Sequence, residues 1–331
     1  MIFRRTACAR LLCMAVAAHA LWWQSTVHAE GFPDRPVRIV VPTAAASGSD
    51  QIARVLAQKL GEIWKQPVTV ENRAGASGIL GVEAVVRAPA DGYTLLLSSA
   101  SPVTINPMIF RKLPYDPQKG LAPISEVGIG PAALLINGAT PARDLKEFVA
   151  LAKSKPNGLS YGSFGLGSGG HLGMEAFDQA AGIQMIHVPY KGTAPAVTDL
   201  IGGQITAILT DLATAQSQIK TGKLRALAIN GPSRSPLLPD VPTFTELGYP
   251  SVEGTYARFA LFAPAGTPQP IVEKISADTV LALRDPAFAD RFTALGYSLA
   301  GSSPAELSDA LKDDAERWGK VIRMLGGLTL D

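Results

Sequence analysis

Cysteine is nearly absent from this chain, and its two copies, Cys8 and Cys13, both lie within the first 29 residues. That opening stretch has the three-part layout of a secretory signal. Arg4, Arg5 and Arg10 stand there without an acid, an apolar run over 11–23 is broken only by His19, and Val27-His28-Ala29 precedes Glu30. The run is shorter than the about 20 residues a bilayer crossing needs, so cleavage after Ala29 and export from the cytoplasm are expected. The remaining chain then has no cysteine, which excludes disulfides, thiolate metal sites and a cysteine nucleophile. Histidine is scarce too. Of four, only His171 and His187 remain, and they are not spaced as His-x-x-x-His, so no metal site is expected. A basic excess is also missing. Loss of the three arginines leaves 27 basic residues against 28 acidic ones and moves the formal charge from +2 to −1. That balance gives no hold on nucleic acid or an anionic membrane.

What remains is 302 residues, a length that suggests two lobes. Along them one pattern repeats: an apolar strand, a loop of small residues, then an amphipathic helix. Strands are expected at Val37–Val41, 68–70 and 93–97, then at 133–136, 159–161, 183–188, 205–209, 224–229 and 259–262. Helices are expected after 50, over 144–152, after 170 and over 193–200, and in a helical C-terminal stretch at 271–283, 286–295 and 304–324. The repeat predicts α/β architecture with parallel strands, whose loops gather along one sheet edge, where such sheets bind ligands. Two similar α/β halves are expected, with a late return to the first and hinges near 127–131 and 254–258.

The loops carry the candidate chemistry. Ser163, Gly165, Gly167 and Ser168 stand between a strand and a helix. Glycines there let backbone N–H groups converge, and the helix adds its free N–H groups and positive dipole end, a setting for a carboxylate or phosphate. Gly165-x-Gly167-x-x-Gly170 also matches the dinucleotide fingerprint. The following strand, however, ends Ile186-His187-Val188-Pro189-Tyr190 without the acid that meets a ribose, so no cofactor is expected. A serine hydrolase using Ser168 with His171 is an alternative, weakened by the missing Gly-x-Ser-x-Gly elbow. Ser47, Gly48, Ser49 and Asp50 follow the first strand. Ser98, Ser99 and Ala100 follow the third, and Tyr190, Lys191, Gly192 and Thr193 precede a helix. Asp211 is either a ligand acceptor or a helix cap. Arg258, in an apolar setting, is either ion-paired or aimed at a ligand carboxylate.

Ten blocks in order carry a resemblance. They include Glu71-Asn72-Arg73, Asp91-Gly92-Tyr93-Thr94-Leu95-Leu96, Leu113-Pro114-Tyr115-Asp116-Pro117, His187-Val188-Pro189-Tyr190-Lys191-Gly192, Gly222-Lys223-Leu224-Arg225 and Pro264-Ala265-Gly266-Thr267-Pro268. Together they resemble the Bug family, the extracytoplasmic receptors of tripartite tricarboxylate transporters. The resemblance implies a two-lobed periplasmic binding protein of the type II-like flytrap kind. Each lobe would be a mixed, mostly parallel sheet flanked by helices, with residues 30–129 and 256–331 in one and 130–255 in the other. It implies a monomeric receptor, not an enzyme, that holds a small carboxylate between the lobes and delivers it to a two-subunit membrane permease. The ligand would be a di- or tricarboxylate, an acidic amino acid or an aromatic acid. A sensory relative that signals to a partner is the alternative within the same resemblance. Thr43 stands where the family pattern has an aromatic residue, which implies a wider pocket. Arg258 stands where it often has Trp, which suggests a grip on a distal carboxylate.

Overall fold

The computed structural model describes residues 31–99, 101–231, 233–252, 257–294 and 296–330. The expected signal over 1–29, Ala100 and residues 254–256 of the second expected hinge lie outside the described residues. Among the described residues eleven strands form two sheets. They are β1 (Val37–Val41), β2 (Val68–Asn72), β3 (Thr94–Ser99), β4 (Leu121–Gly130), β5 (Ala132–Asn137), β6 (Ser160–Ser163), β7 (Ile186–Pro189), β8 (Ala207–Asp211), β9 (Leu224–Asn230), β10 (Ala257–Pro264) and β11 (Ser298–Leu299). The first sheet runs β11-β4-β10-β3-β1-β2 and the second β7-β6-β8-β5-β9.

Parallel pairing joins β1 to β2 and β3, and β6 to β7 and β8. The strands next to the passages between sheets pair antiparallel: β10 with β3 and β4, and β5 with β8 and β9. β11 also pairs antiparallel with β4. Both sheets are mixed, with a smaller parallel share than the strand–loop–helix repeat suggests. Only Pro131 separates β4 from β5, so the chain passes from one sheet to the other almost without a loop.

The helices form where their apolar positions recur every three or four residues. In the helix Gly48–Trp64, Ile52, Leu56 and Leu60 are fully buried. Ser47 caps it by accepting from the Asp50 N–H, and Lys65 ends it at φ 55°. The helix Pro304–Met324 opens on a capping box of Ser303 and Glu306. Val40, Val82, Leu96, Phe262 and Leu307 pack beside the first sheet, and Phe148, Tyr161, Phe177 and Phe244 beside the second. A further cluster of Ile105, Ile109, Leu172, Ala176, Trp318 and Ile322 joins the helix Gly169–Ala181, which follows β6, to the helix Pro304–Met324. Among the described residues no helix is long and apolar enough to cross a membrane.

β4 is a strand that the apolar pattern did not predict. Pro123, Gly128 and Gly130 interrupt its sequence, and two register shifts bend its pairing with β10. The glycines have a packing reason. A Cβ at Gly128 would lie 2.5 Å from the Phe292 ring, and one at Gly130 2.6 Å from the Tyr297 ring.

Candidate functional site

β1, β2 and β3 are parallel, so the loops at their C-terminal ends share one edge of the first sheet. β6, β7 and β8 do the same for the second sheet. The two sets of loops meet around one cavity. Pro42, Thr43, Ser77, Gly78, Ser99 and Pro102 line it from the first set, and Phe164, Ser168, Lys191 and Gly192 from the second. It offers about 30 Å³ to the centres of water molecules. That is room for water but not for a dicarboxylate.

Three lining residues are helix N-caps. Gly78 precedes Ile79–Val86, Ser168 precedes Gly169–Ala181 and Gly192 precedes Thr193–Ile201. Each helix start carries a partial positive charge. No acid lines the cavity among the described residues, and the exposed Lys191 adds a cation. Hydroxyls of Thr43, Ser77, Ser99 and Ser168 complete a lining rich in donors.

The first loop is locked by its own side chains. Thr43 Oγ1 lies 2.7 Å from both Ser47 Oγ and Ser49 Oγ. Asp50, expected to face ligand, is turned into this loop. Its carboxylate accepts from the Ala46 N–H at 2.8 Å, Asn72 Nδ2 at 2.9 Å and Arg54 Nε at 3.0 Å. Burial opposes its charge, but these donors outweigh burial and hold its pKa below the usual carboxylate range. Gly48 packs so closely that a Cβ would run into the Tyr297 hydroxyl and lie 2.8 Å from Asp211 Oδ1.

Ser77 belongs to the site but was missed among the sequence candidates. The run Gly75, Ala76, Ser77, Gly78 has positive φ throughout, 130°, 47°, 53° and 86°. Ala and Ser in that region carry strain. The turn brings Ser77 Oγ to donate to the Leu166 carbonyl at 2.7 Å, across the two sets of loops. The signal was available: Gly75-Ala76-Ser77-Gly78 repeats the strand–loop–helix pattern on β2, next to β1.

In the second set, Gly165 and Gly167 take φ 146° and 69°. Ser163 Oγ donates to the Gly165 carbonyl at 3.0 Å and lies 2.7 Å from His187 Nε2. The Gly167 N–H donates to His171 Nδ1 at 3.0 Å. Ser168 Oγ accepts from the His171 N–H as the helix cap. His171 Nδ1 is thus engaged by backbone and its Nε2 faces Glu175 at 3.8 Å, not Ser168, and Ser163 is fully buried. Tyr190 anchors its loop by donating to Asp199 at 2.7 Å, and Thr193 is buried beside Thr210. Ser98 is buried, with its hydroxyl on the Ser99 carbonyl.

Two residues with alternative readings take the structural one, and neither faces the cavity as a ligand contact. Asp211 caps the helix Leu212–Lys220, accepting from the Thr214 N–H at 3.2 Å, and also accepts from the Tyr297 hydroxyl at 3.1 Å. Burial raises its pKa, against those hydrogen bonds. Arg258 does not line the cavity. Its guanidinium pairs with Glu126 and, at 2.9 Å, with Asp314, which also holds Arg317. Arg258, Glu126 and Asp314 are all buried. Burial works against the Arg258 charge, but the carboxylates of Asp314 and Glu126 outweigh it and raise its pKa. A guanidinium with two buried acids at hand has no need of a ligand.

Comparison with known proteins points one way. The family model described as the tripartite tricarboxylate transporter family receptor matches residues 52–327. Protein BugT of Bordetella pertussis is 37% identical over 301 residues, which cover 91% of this chain and 92% of BugT. A protein of R. palustris solved with adipate is similar at TM-score 0.88 and 30% identity, covering 90% of this chain and 100% of that one. MatC from Rhodopseudomonas palustris, solved with bound malate, is similar at TM-score 0.83 and 32% identity, covering 88% of this chain and 100% of that one.

Proposed function

Because this chain belongs to the receptor family of tripartite tricarboxylate transporters, whose members bind solutes and are not enzymes, we propose that it is a periplasmic receptor for a small dicarboxylate. The observation that carries this reading is the convergence of three helix N-caps, Gly78, Ser168 and Gly192, on one cavity without a lining acid. Malate and adipate, present in the structures of two similar proteins, are both dicarboxylates and support this ligand class.

The magnitudes fit this class. A micromolar ligand needs about 8 kcal/mol. Each helix terminus supplies about 0.3–1 kcal/mol, rising to about 2 when partly buried. Hydrogen bonds to charge from Thr43, Ser99 and Ser168 would add about 1.5–3 kcal/mol each. Groups from both sets of loops contribute to this total, so the ligand sits between them. In this reading residues 30–129 with 256–331 form one lobe and 130–255 the other, and residues 1–29 are removed on export. The lobes part to admit ligand, since the closed loops leave room only for water, and the loaded receptor docks on a two-subunit membrane permease.

The test is a thermal-shift screen of aliphatic dicarboxylates, with malate and adipate first and aromatic acids alongside. A ligand at 100 times its dissociation constant stabilises by about 2.7 kcal/mol. Absence of a shift with every acid would sink the reading.

A further inference from the structure

Beneath the 163–168 loop lies a stack of rings that ligand contact does not account for. The His171 and His187 imidazoles are 3.9 Å apart, with planes 12° from parallel. Tyr161 stacks on His187 at 4.9 Å. Each imidazole gives one nitrogen to the loop. His187 Nε2 meets Ser163 Oγ at its start, and His171 Nδ1 accepts the Gly167 N–H near its end. The Gly167 group can only donate, so His171 Nδ1 must carry a lone pair and its proton sits on Nε2.

We infer that His171, braced by His187, is a positioning residue that holds the 163–168 loop in its anion-binding shape, and that protonation of His171 frees the loop and weakens ligand retention. The inference rests on the carboxylate-receptor reading. A proton on Nδ1 would set two N–H groups against each other, and the bond to Gly167 would be lost. The loop would then relax away from φ 69° at Gly167, and the cavity wall formed by Phe164 and Ser168 would move with it.

The surrounding groups decide which ring takes the proton. His171 faces Glu175, whose Oε1 is 3.8 Å from Nε2 and also accepts from the Tyr161 hydroxyl. Asp178, on the same helix, turns instead to the Met185 N–H at 3.0 Å. His187 faces His171, Tyr161 and Ser163, without an acid among the described residues. Burial depresses both imidazoles. Glu175 partly offsets this for His171, whereas the His171 ring deepens it for His187, which falls to about 3. His171 therefore titrates first.

The experiment compares the wild type with His171→Asn, whose amide oxygen accepts without titrating, and His171→Phe, which cannot accept. In ligand-free protein at pH 7, hydrogen exchange of the Gly167 amide should speed up about tenfold in His171→Phe and stay near wild type in His171→Asn. Malate affinity, measured by calorimetry between pH 7 and about pH 4, should fall about tenfold further in the wild type than in His171→Asn. The second variant subtracts the ligand's own titration. Equal Gly167 exchange in all three proteins, or parallel pH profiles for the wild type and His171→Asn, overturns the inference. If malate and the other dicarboxylates fail to bind, the receptor reading falls, and the Gly167 measurement still decides the role of His171.

Discussion

Replacing Arg258 with alanine should damage stability and spare binding. The guanidinium sits between the carboxylates of Glu126, on β4, and Asp314, on the helix Pro304–Met324. Asp314 is fully buried and Glu126 nearly so. Truncation would leave two buried acids facing each other, with only Arg317 remaining on Asp314. Breaking a buried pair from one side costs about 3–5 kcal/mol, because the remaining charge is uncompensated. For the 302 residues left after the proposed removal of 1–29, an unfolding entropy of about 2.1 cal/mol/K per residue converts that into a fall in Tm of about 5–8 °C. Urea melts and calorimetry measure it. A triple variant, Arg258→Met with Glu126→Leu and Asp314→Leu, removes the charges together and should recover most of the loss. Malate affinity of Arg258→Ala should stay within about twofold of the wild type, since Arg258 does not line the cavity. A protein that kept its Tm but lost affinity tenfold would refute this account and return Arg258 to the ligand.

Three other outcomes follow from the packing and the charges. Gly48→Ala should destabilise by about 1–3 kcal/mol in urea melts, and adding Tyr297→Phe should restore part of it, because the Tyr297 hydroxyl is the first obstacle to the new Cβ. Equal melts for the single and double variants would contradict that. Ser77→Ala removes the hydrogen bond to the Leu166 carbonyl and should weaken dicarboxylate binding about 2- to 10-fold by calorimetry. Unchanged affinity would remove Ser77 from closure. Stability should also depend on pH through opposed groups. Folding depresses His187 to about 3, so the stability due to its neutral ring is full above about 6.5 and drains as pH falls toward 3. Burial raises Asp178 to about 7, so its contribution is present below about 3.9 and drains as pH rises through 7. Urea melts from pH 7 to about pH 4 should therefore lose more stability in Asp178→Asn than in the wild type, and less in His187→Asn. The reverse order would overturn both assignments.

Much of the fold was legible because local chemistry and tertiary structure agree. Val37–Val41 reads as a buried strand and is one, and Asp144 caps the helix Leu145–Ser154 as its position before the apolar stripe suggests. β4 was hidden because Gly128 and Gly130 answer to Phe292 and Tyr297, residues far along the chain. The site divides the same way. Loops after parallel strands could be placed on the sheet edges, so Thr43, Ser99, Ser168 and Gly192 reach the cavity. The direction of a charged side chain could not be read locally. Arg258 finds its partner 56 residues away, and Asp50 is claimed by Asn72 at the end of β2. Tyr297 had no signal at all, since its role depends on Gly48 and Asp211 meeting it in space.

The N-cap trio has an evolutionary consequence. Main-chain N–H groups belong to the polypeptide and not to any side chain, so among point substitutions only proline deletes one. At Gly78 and Gly192 the backbone stands at φ 86° and 130°, where glycine is favoured and drift is restrained. A receptor that anchors acids this way can exchange Thr43, Ser99 or Phe164 and acquire a new nutrient without first losing its hold on the old one. Inheritance of the anchor and novelty around it are then carried by different atoms.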